Sequence, residues 1–295
     1  MVANLDALFL GIVFLIASIP VGGIGYGFSA VSTPILLIDY SPKQISPILN
    51  FIELFQNSSN VIINSGKYTL KREIILFVVF ASPGLAIGSI LGSYLLKTLG
   101  GTSPQLKILI YVILIPLILL QAYGFRRSFT LKSWKYLGSI ITLLIGCLYG
   151  VTTISGPPLA LIVNNQGLSK EEYRFAISLL RVVESYTTFT SYLTLGIFSP
   201  AVIYYSILTS PAIIGGMAIG YFLSSRVRVK EDFRRVAMSF DAYVTGFGLS
   251  NNLVGILSNS LVVCYIPFFV TVLIDLILLR RYVKVQRPKY KTQNS

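Results

Sequence analysis

Histidine is absent from all 295 residues, and cysteine occurs only twice. The first absence removes the commonest general base and metal ligand. Cys147 and Cys264 lie far apart inside apolar runs, so the chain has neither a disulfide framework nor metal-ligand spacing, and both read as packing residues. A Walker loop, an HExxH pair and a G-x-S-x-G elbow are also missing. These gaps argue against an enzyme and against ATP hydrolysis within the chain, and no cofactor or metal is expected. Charge is scarce as well, at 12% of residues against 54% hydrophobic, with a mean hydropathy of +0.75. That is more apolar side chain than one soluble core can hide, and a bilayer must solvate it. Crossing the hydrocarbon takes roughly 20 apolar residues per helix. Such stretches recur with short connections that leave no room for a separate soluble domain.

The apolar stretch from Leu5 to Ile19 has no basic segment before it, only Asn4 and then Asp6. It is expected to be retained structure, not a signal peptide. The net charge of +13 is read as basic loops on the cytoplasmic side of a membrane, not as a nucleic-acid footprint.

The chain contains an internal repeat. Advancing 128 positions takes Ser82, Pro83, Gly88, Gly92 and Leu95 to Ser210, Pro211, Gly216, Gly220 and Leu223, so SPGLAIGSILGSYL and SPAIIGGMAIGYFL are one helix written twice. The same shift takes Ser41 to Ser169, and Pro34 pairs with Pro158 at a shift of 124. Each half opens with an apolar stretch broken by glycine and proline: VGGIGYGFSAVSTP in the first, VTTISGPP in the second. As one helix, Asn4 to Ile38 would run roughly 50 Å and overshoot the hydrocarbon, so a hairpin of two shorter helices is expected in each half. Three crossings follow each hairpin, at 43–65, 72–96 and 104–124 and at 169–195, 200–224 and 232–250, and a last helix at 258–279 has no counterpart.

The fold class expected is therefore an all-α polytopic membrane protein of two inverted-topology repeats, each an interrupted-helix hairpin plus three transmembrane helices, with one extra C-terminal helix. The divisions are 1–125 and 126–252 for the repeats and 253–295 for the extra helix and basic tail. The inversion follows from counting, because a hairpin and three crossings make an odd number of traversals. With the C-terminal end in the cytoplasm and the N-terminus outside, all 24 Lys and Arg residues but Lys43, Lys97, Lys107 and Arg181 fall on the cytoplasmic side. Asp275 is expected to make a snorkelled pair with Arg280 at that side.

Interrupted helices in matching positions of two halves point to a substrate site at the membrane midplane. Helix N-termini beside the breaks favour an anion. Candidate ligands there are Gly25, Ser29, Ser32 and Thr33 from the first break, and Thr152, Thr153, Ser155 and Gly156 from the second. The alternative reading is that small residues simply let helices pack closely, which applies to Gly84, Gly88 and Gly92. The helices after the hairpins are polar for their depth: Asn50, Glu53, Asn57, Asn60 and Asn64 share one face. Adding 128 to Glu53 lands on Arg181, with Glu184 a turn later. Ionisable groups at membrane depth are paired or functional. Asn57 and Arg181 are thus further candidate anion ligands, and Glu53 and Glu184 candidate carriers of a coupling proton or ion. A structural Glu53–Arg181 ion pair is the competing reading, and Asp241 poses the same question.

The runs VGGIGYGF, STPILL, GVTTISGPPLAL, FAISLLRVVES and SPAIIGGMAIG resemble the sulfite exporter TauE/SafE family. The G-x-x-x-x-x-G-P-P run from Gly150 to Pro158 is the most specific of these features. The resemblance spans nearly the whole chain. It implies a secondary transporter of sulfite, thiosulfate, sulfonates or related organic sulfur anions, working by alternating access in the cell membrane. An anion channel or passive pore is the rival reading. The expected partners are a small anionic solute and the lipid bilayer, with a homo-oligomer left open and nucleic acid excluded.

Overall fold

The computed structural model describes residues 6–25, 27–65, 72–100, 104–123, 131–163, 170–226, 230–257 and 261–286. Among them are eleven α-helices and no strand: α1 Ala7–Ile24, α2 Phe28–Asp39, α3 Pro42–Ser65, α4 Arg72–Leu99, α5 Pro104–Tyr123, α6 Leu131–Thr152, α7 Gly156–Val163, α8 Lys170–Thr194, α9 Pro200–Arg226, α10 Lys230–Leu257 and α11 Leu261–Arg281, which runs into a π-turn at Tyr282–Gln286. Each of the seven stretches expected to cross the membrane forms a helix, as α3, α4, α5, α8, α9, α10 and α11. Five helices, α4, α5, α6, α9 and α11, are long and apolar enough to cross a membrane. The chain is an all-α polytopic membrane protein. Tyr26 and the loop cations Lys67, Lys71, Arg126, Arg127, Arg228, Arg287, Lys289 and Lys291, on which much of the orientation argument rests, lie outside the described residues.

Both predicted interruptions are real. Asp6 starts α1 by accepting the amides of Leu8 (2.9 Å) and Phe9 (3.1 Å), satisfying donors the first turn cannot pair. Gly25 stops it at φ +88°, a left-handed cap that glycine adopts without penalty. Gly27, at φ +115°, starts α2 without a side-chain cap. The two arms fold back on each other: the Asp6 amide donates to the Tyr40 hydroxyl (3.1 Å), and Phe14 packs on Phe28 at 5.1 Å between ring centroids. The second interruption separates α6 from α7 at Thr153–Ser155, and there the left-handed residue is Thr153, at φ +61°.

The helices form two compact units that interleave the chain. The first comprises Ser41–Gly101 and Arg126–Leu208; the second comprises Asp6–Tyr40, Thr102–Phe125 and Thr209–Ser295. In the first, α4 lies against α6 so closely that a Cβ on Gly84, Gly88 or Gly92 would run into the backbone of Ser139, Leu143 or Cys147. Gly146 and Gly150 face Leu85 and Ser89 in return. Small residues permit that approach, and hydroxyls bond across it: Ser139 to the Phe80 carbonyl (2.7 Å), Thr142 to that of Ala81 (2.7 Å). Trp134 stacks on Phe77 and donates to its carbonyl (2.9 Å).

In the second unit, α9 meets α1 in the same manner. Gly216 and Gly220 face the carbonyls of Leu15 and Ile19, and Gly22 faces that of Met217. Gly216 and Gly220 are the repeat equivalents of Gly88 and Gly92. Each copy of the repeated helix therefore receives the first arm of an interrupted helix on its glycines. Helix α11 is held to α10 by a buried ion pair, Arg235 Nη2 to Asp275 Oδ1 at 2.6 Å. This corrects the expected pairing of Asp275 with Arg280. Asp275 is fully buried, and a carboxylate without access to water takes the cation inside the packing, here 40 residues away.

Candidate functional site

A buried polar cluster of the first unit is built by α3, α6, α8 and the break before α7. Helix α3 contributes Asn50, Glu53 and Asn57, three and four residues apart and hence on one face; all three are buried. Asn60 on the same line is half-buried. Glu53 Oε1 accepts from Arg181 Nη2 at 2.5 Å and Glu53 Oε2 accepts from the Tyr149 hydroxyl at 3.0 Å. Asn50 Nδ2 donates to the Tyr149 hydroxyl and to the Ser185 carbonyl, both at 3.3 Å. Asn57 Nδ2 donates to Ser185 Oγ at 2.9 Å, and that hydroxyl donates to the Arg181 carbonyl at 2.6 Å. The ion pair is thus embedded in a network that fixes both partners.

The break brings in a second carboxylate. Ser155, immediately before α7, donates to Glu184 Oε2 at 2.5 Å. Its own carbonyl accepts the Leu159 amide at 2.9 Å, so Ser155 is the N-cap of α7. The first turn of α7 reads Gly156, Pro157, Pro158, and proline has no N–H. Gly156 therefore carries the one amide N–H among those three residues. The strained backbone of Thr153 is held by the hydrogen bond its N–H donates to the Tyr149 carbonyl (2.6 Å). Left-handed geometry at a β-branched residue costs of order 1–3 kcal/mol and survives only where its surroundings impose it.

Among the described residues, several buried polar atoms here have no hydrogen-bond partner: Arg181 Nε, Glu184 Oε1, Thr188 Oγ1 and Asn50 Oδ1. Arg181, Glu184 and Thr188 are spaced by three and four, so three of the four stand on one stripe of α8. Unpaired polar atoms in a nearly water-free interior are costly. Together they offer a donor from the guanidinium, an acceptor from the carboxylate and a hydroxyl able to do either.

Of the residues singled out from sequence, the structure brings Glu53, Asn57, Ser155, Arg181 and Glu184 into this cluster, with Gly156 next to Ser155. Thr152 and Thr153 are also in the first unit, but their hydroxyls serve the break: Thr152 donates to Leu148 (2.7 Å) and accepts the Ile154 amide (3.1 Å), and Thr153 donates to the Thr152 carbonyl (2.6 Å). Gly25, Ser29, Ser32 and Thr33 belong to the second unit. There Ser29, Ser32 and Thr33 are buried along α2, and Ser32 donates to the Phe28 carbonyl at 2.7 Å. Sequence reasoning missed Tyr149 and Ser185, which join α6 to α3 and α8. The available signals were a tyrosine directly before the Gly150–Pro158 run and a serine one turn after Arg181.

Residues 10–248 match the model of the family described as Sulfite exporter TauE/SafE. The match covers most of the chain, and the chain belongs to that family. The family is one of membrane transporters of anions and not of enzymes. No match emerges among curated proteins or among solved structures.

Proposed function

With membership of the sulfite exporter family as premise, we propose that the chain moves a small sulfur-containing anion, such as sulfite, thiosulfate or a sulfonate, by alternating access, and that the anion binds beside Arg181 and Ser155 in the first unit. The observation that supports this reading most directly is the unused Nε donor of Arg181, a residue 3% exposed. A buried cation with one edge spent on Glu53 and another edge open suits a tetrahedral or pyramidal oxyanion. The N-terminus of α7 adds its dipole and the Gly156 amide.

The repeats at 1–125 and 126–252 are read as inserted in opposite senses, with the Asp6 end of α1 outside and the Arg280 end of α11 in the cytoplasm of a cell membrane. The matching glycine seams of α4 and α9 support this reading of the repeat.

The test is thermal unfolding of the detergent-solubilised protein with sulfite, thiosulfate, methanesulfonate or chloride. Binding to the native state alone adds about 2.7 kcal/mol at a hundredfold excess over Kd. One sulfur anion should raise the midpoint where chloride does not, and Arg181→Gln should abolish the rise. A panel without effect, or a full response in Arg181→Gln, overturns the site. Counterflow of the stabilising anion in proteoliposomes then separates a transporter from a pore, because a pore shows none.

A further inference from the structure

The charge count of the cluster goes further than the anion site. Two buried carboxylates, Glu53 and Glu184, stand beside one guanidinium, and all three residues are 3% exposed or less. Arg181 is already committed to Glu53. Glu184 has Ser155 on Oε2 and nothing on Oε1. Among the described residues, the elements packed most closely on α8 are α3, α4, α6 and α7. Of these, α3 brings Glu53, with Lys43 in its first turn, and α6 brings the neutral Tyr149, with Lys132 and Lys135 near its start, far from the break. Helix α7 has no charged residue, and the charges of α4 (Arg72, Glu73, Lys97) stand in its end turns. Arg181 and Glu53 are both near enough to act on Glu184 electrostatically. With both carboxylates ionised the cluster is net negative, and an incoming anion would meet repulsion in a medium that screens it poorly.

Resting on the anion site proposed above, we infer that Glu184 takes up one proton when the anion binds, so that proton and anion occupy the site together. The proton comes from solvent and resides on Oε1, the oxygen that lacks a partner. No covalent bond other than O–H is made or broken. Protonation brings the cluster to net zero and turns an orphaned acceptor into an O–H donor on the same α8 stripe as Arg181 Nε. The anion then meets two donors instead of a donor and a carboxylate. A monovalent anion carried in this way crosses without net charge.

The experiment uses the full chain in detergent with methanesulfonate and, separately, thiosulfate, whose acids are too strong to bring the proton themselves. Kd is measured by calorimetry from pH 5.5 to 8.5 in two buffers of different ionisation enthalpy. Linkage is reciprocal: where Glu184 is ionised in the free protein, Kd should rise tenfold per pH unit, and the heats in the two buffers should differ by one proton taken up per anion. In Glu184→Gln, which carries the neutral shape permanently, both dependences should vanish. Binding that is flat with pH and buffer in the unmodified chain overturns the inference and leaves the anion site standing. An unchanged slope in Glu184→Gln overturns the assignment to Glu184. If neither anion binds at any pH, the inference falls, and the anion site falls with it if sulfite also fails to bind. Should Glu184→Gln not insert, proton uptake by the unmodified chain decides.

Discussion

Glu53 and Arg181 illustrate how a single position is constrained once its surroundings exclude water. Each is held by more than one bond: Glu53 by Arg181 and Tyr149, Arg181 through its side chain by Glu53 and through its carbonyl by Ser185. Removing one charge breaks a buried ion pair and leaves the other without its bonded partner, which costs about 3–5 kcal/mol. Removing both deletes the penalty along with the pair. The double variant Glu53→Gln with Arg181→Gln should therefore lose less stability than the two single losses added together, as read from thermal unfolding in detergent. Additive losses would count against a direct pair. This pairing was legible in the sequence, because the repeat shift superposes the two positions and ions at membrane depth seek partners. The roles of Tyr149 and Ser185 were not. A lone hydroxyl on an apolar helix leaves no periodic trace, and only the packing of α3, α6 and α8 shows what it bonds. Asp275 misled for a related reason: Arg280 is near it along the chain, whereas burial selected Arg235.

At the level of whole helices, glycine decides which elements can touch. Intrinsic propensity predicts that replacing a mid-helix glycine with alanine stabilises by about 0.5–1 kcal/mol. Two neighbouring residues of α9 separate that tendency from packing. A Cβ at Gly215 would meet nothing within 4 Å, while one at Gly216 would meet the backbone of Leu15. Gly215→Ala should raise the unfolding midpoint. Gly216→Ala should lower it, by the about 1–3 kcal/mol typical of overpacking, and Gly88→Ala should behave likewise in α4 against α6. A rise for both Gly215→Ala and Gly216→Ala would mean that α1 and α9 are not in backbone contact. Sequence reasoning located these helices and both interruptions, because apolar length and clustered glycine and proline are local signals. It recognised the α4 glycines as packing residues. Their partners were beyond it, since lipid tails are as apolar as leucine, and no hydropathy pattern tells α4 to choose α6 or α9 to choose α1.

The orientation of the whole molecule rests on basic residues at helix ends, and it can be tested where the two topologies disagree. If the stretch from Leu131 to Val163 turned back at its break, both of its ends lie on one side of the membrane, and Lys132 is cytoplasmic with Lys170 and Arg174. If it crossed once, Lys132 lies outside and the two repeats run parallel. The positive-inside rule favours the first arrangement, because Arg126, Arg127, Lys132 and Lys135 then join the other cytoplasmic cations. Single cysteines placed in a background with Cys147→Ala and Cys264→Ala report the side through an impermeant maleimide. Thr194→Cys, at the exposed end of α8, should react in intact cells. Arg280→Cys and Lys132→Cys should stay protected until the cells are permeabilised. Protection of all three positions would leave the orientation reading without support. Labelling of Lys132→Cys in intact cells, with Arg280→Cys still protected, would turn the second interruption into a single crossing and remove the inversion between the repeats. The odd count of traversals per repeat, and the opposite insertion that follows from it, stands on that one residue's accessibility.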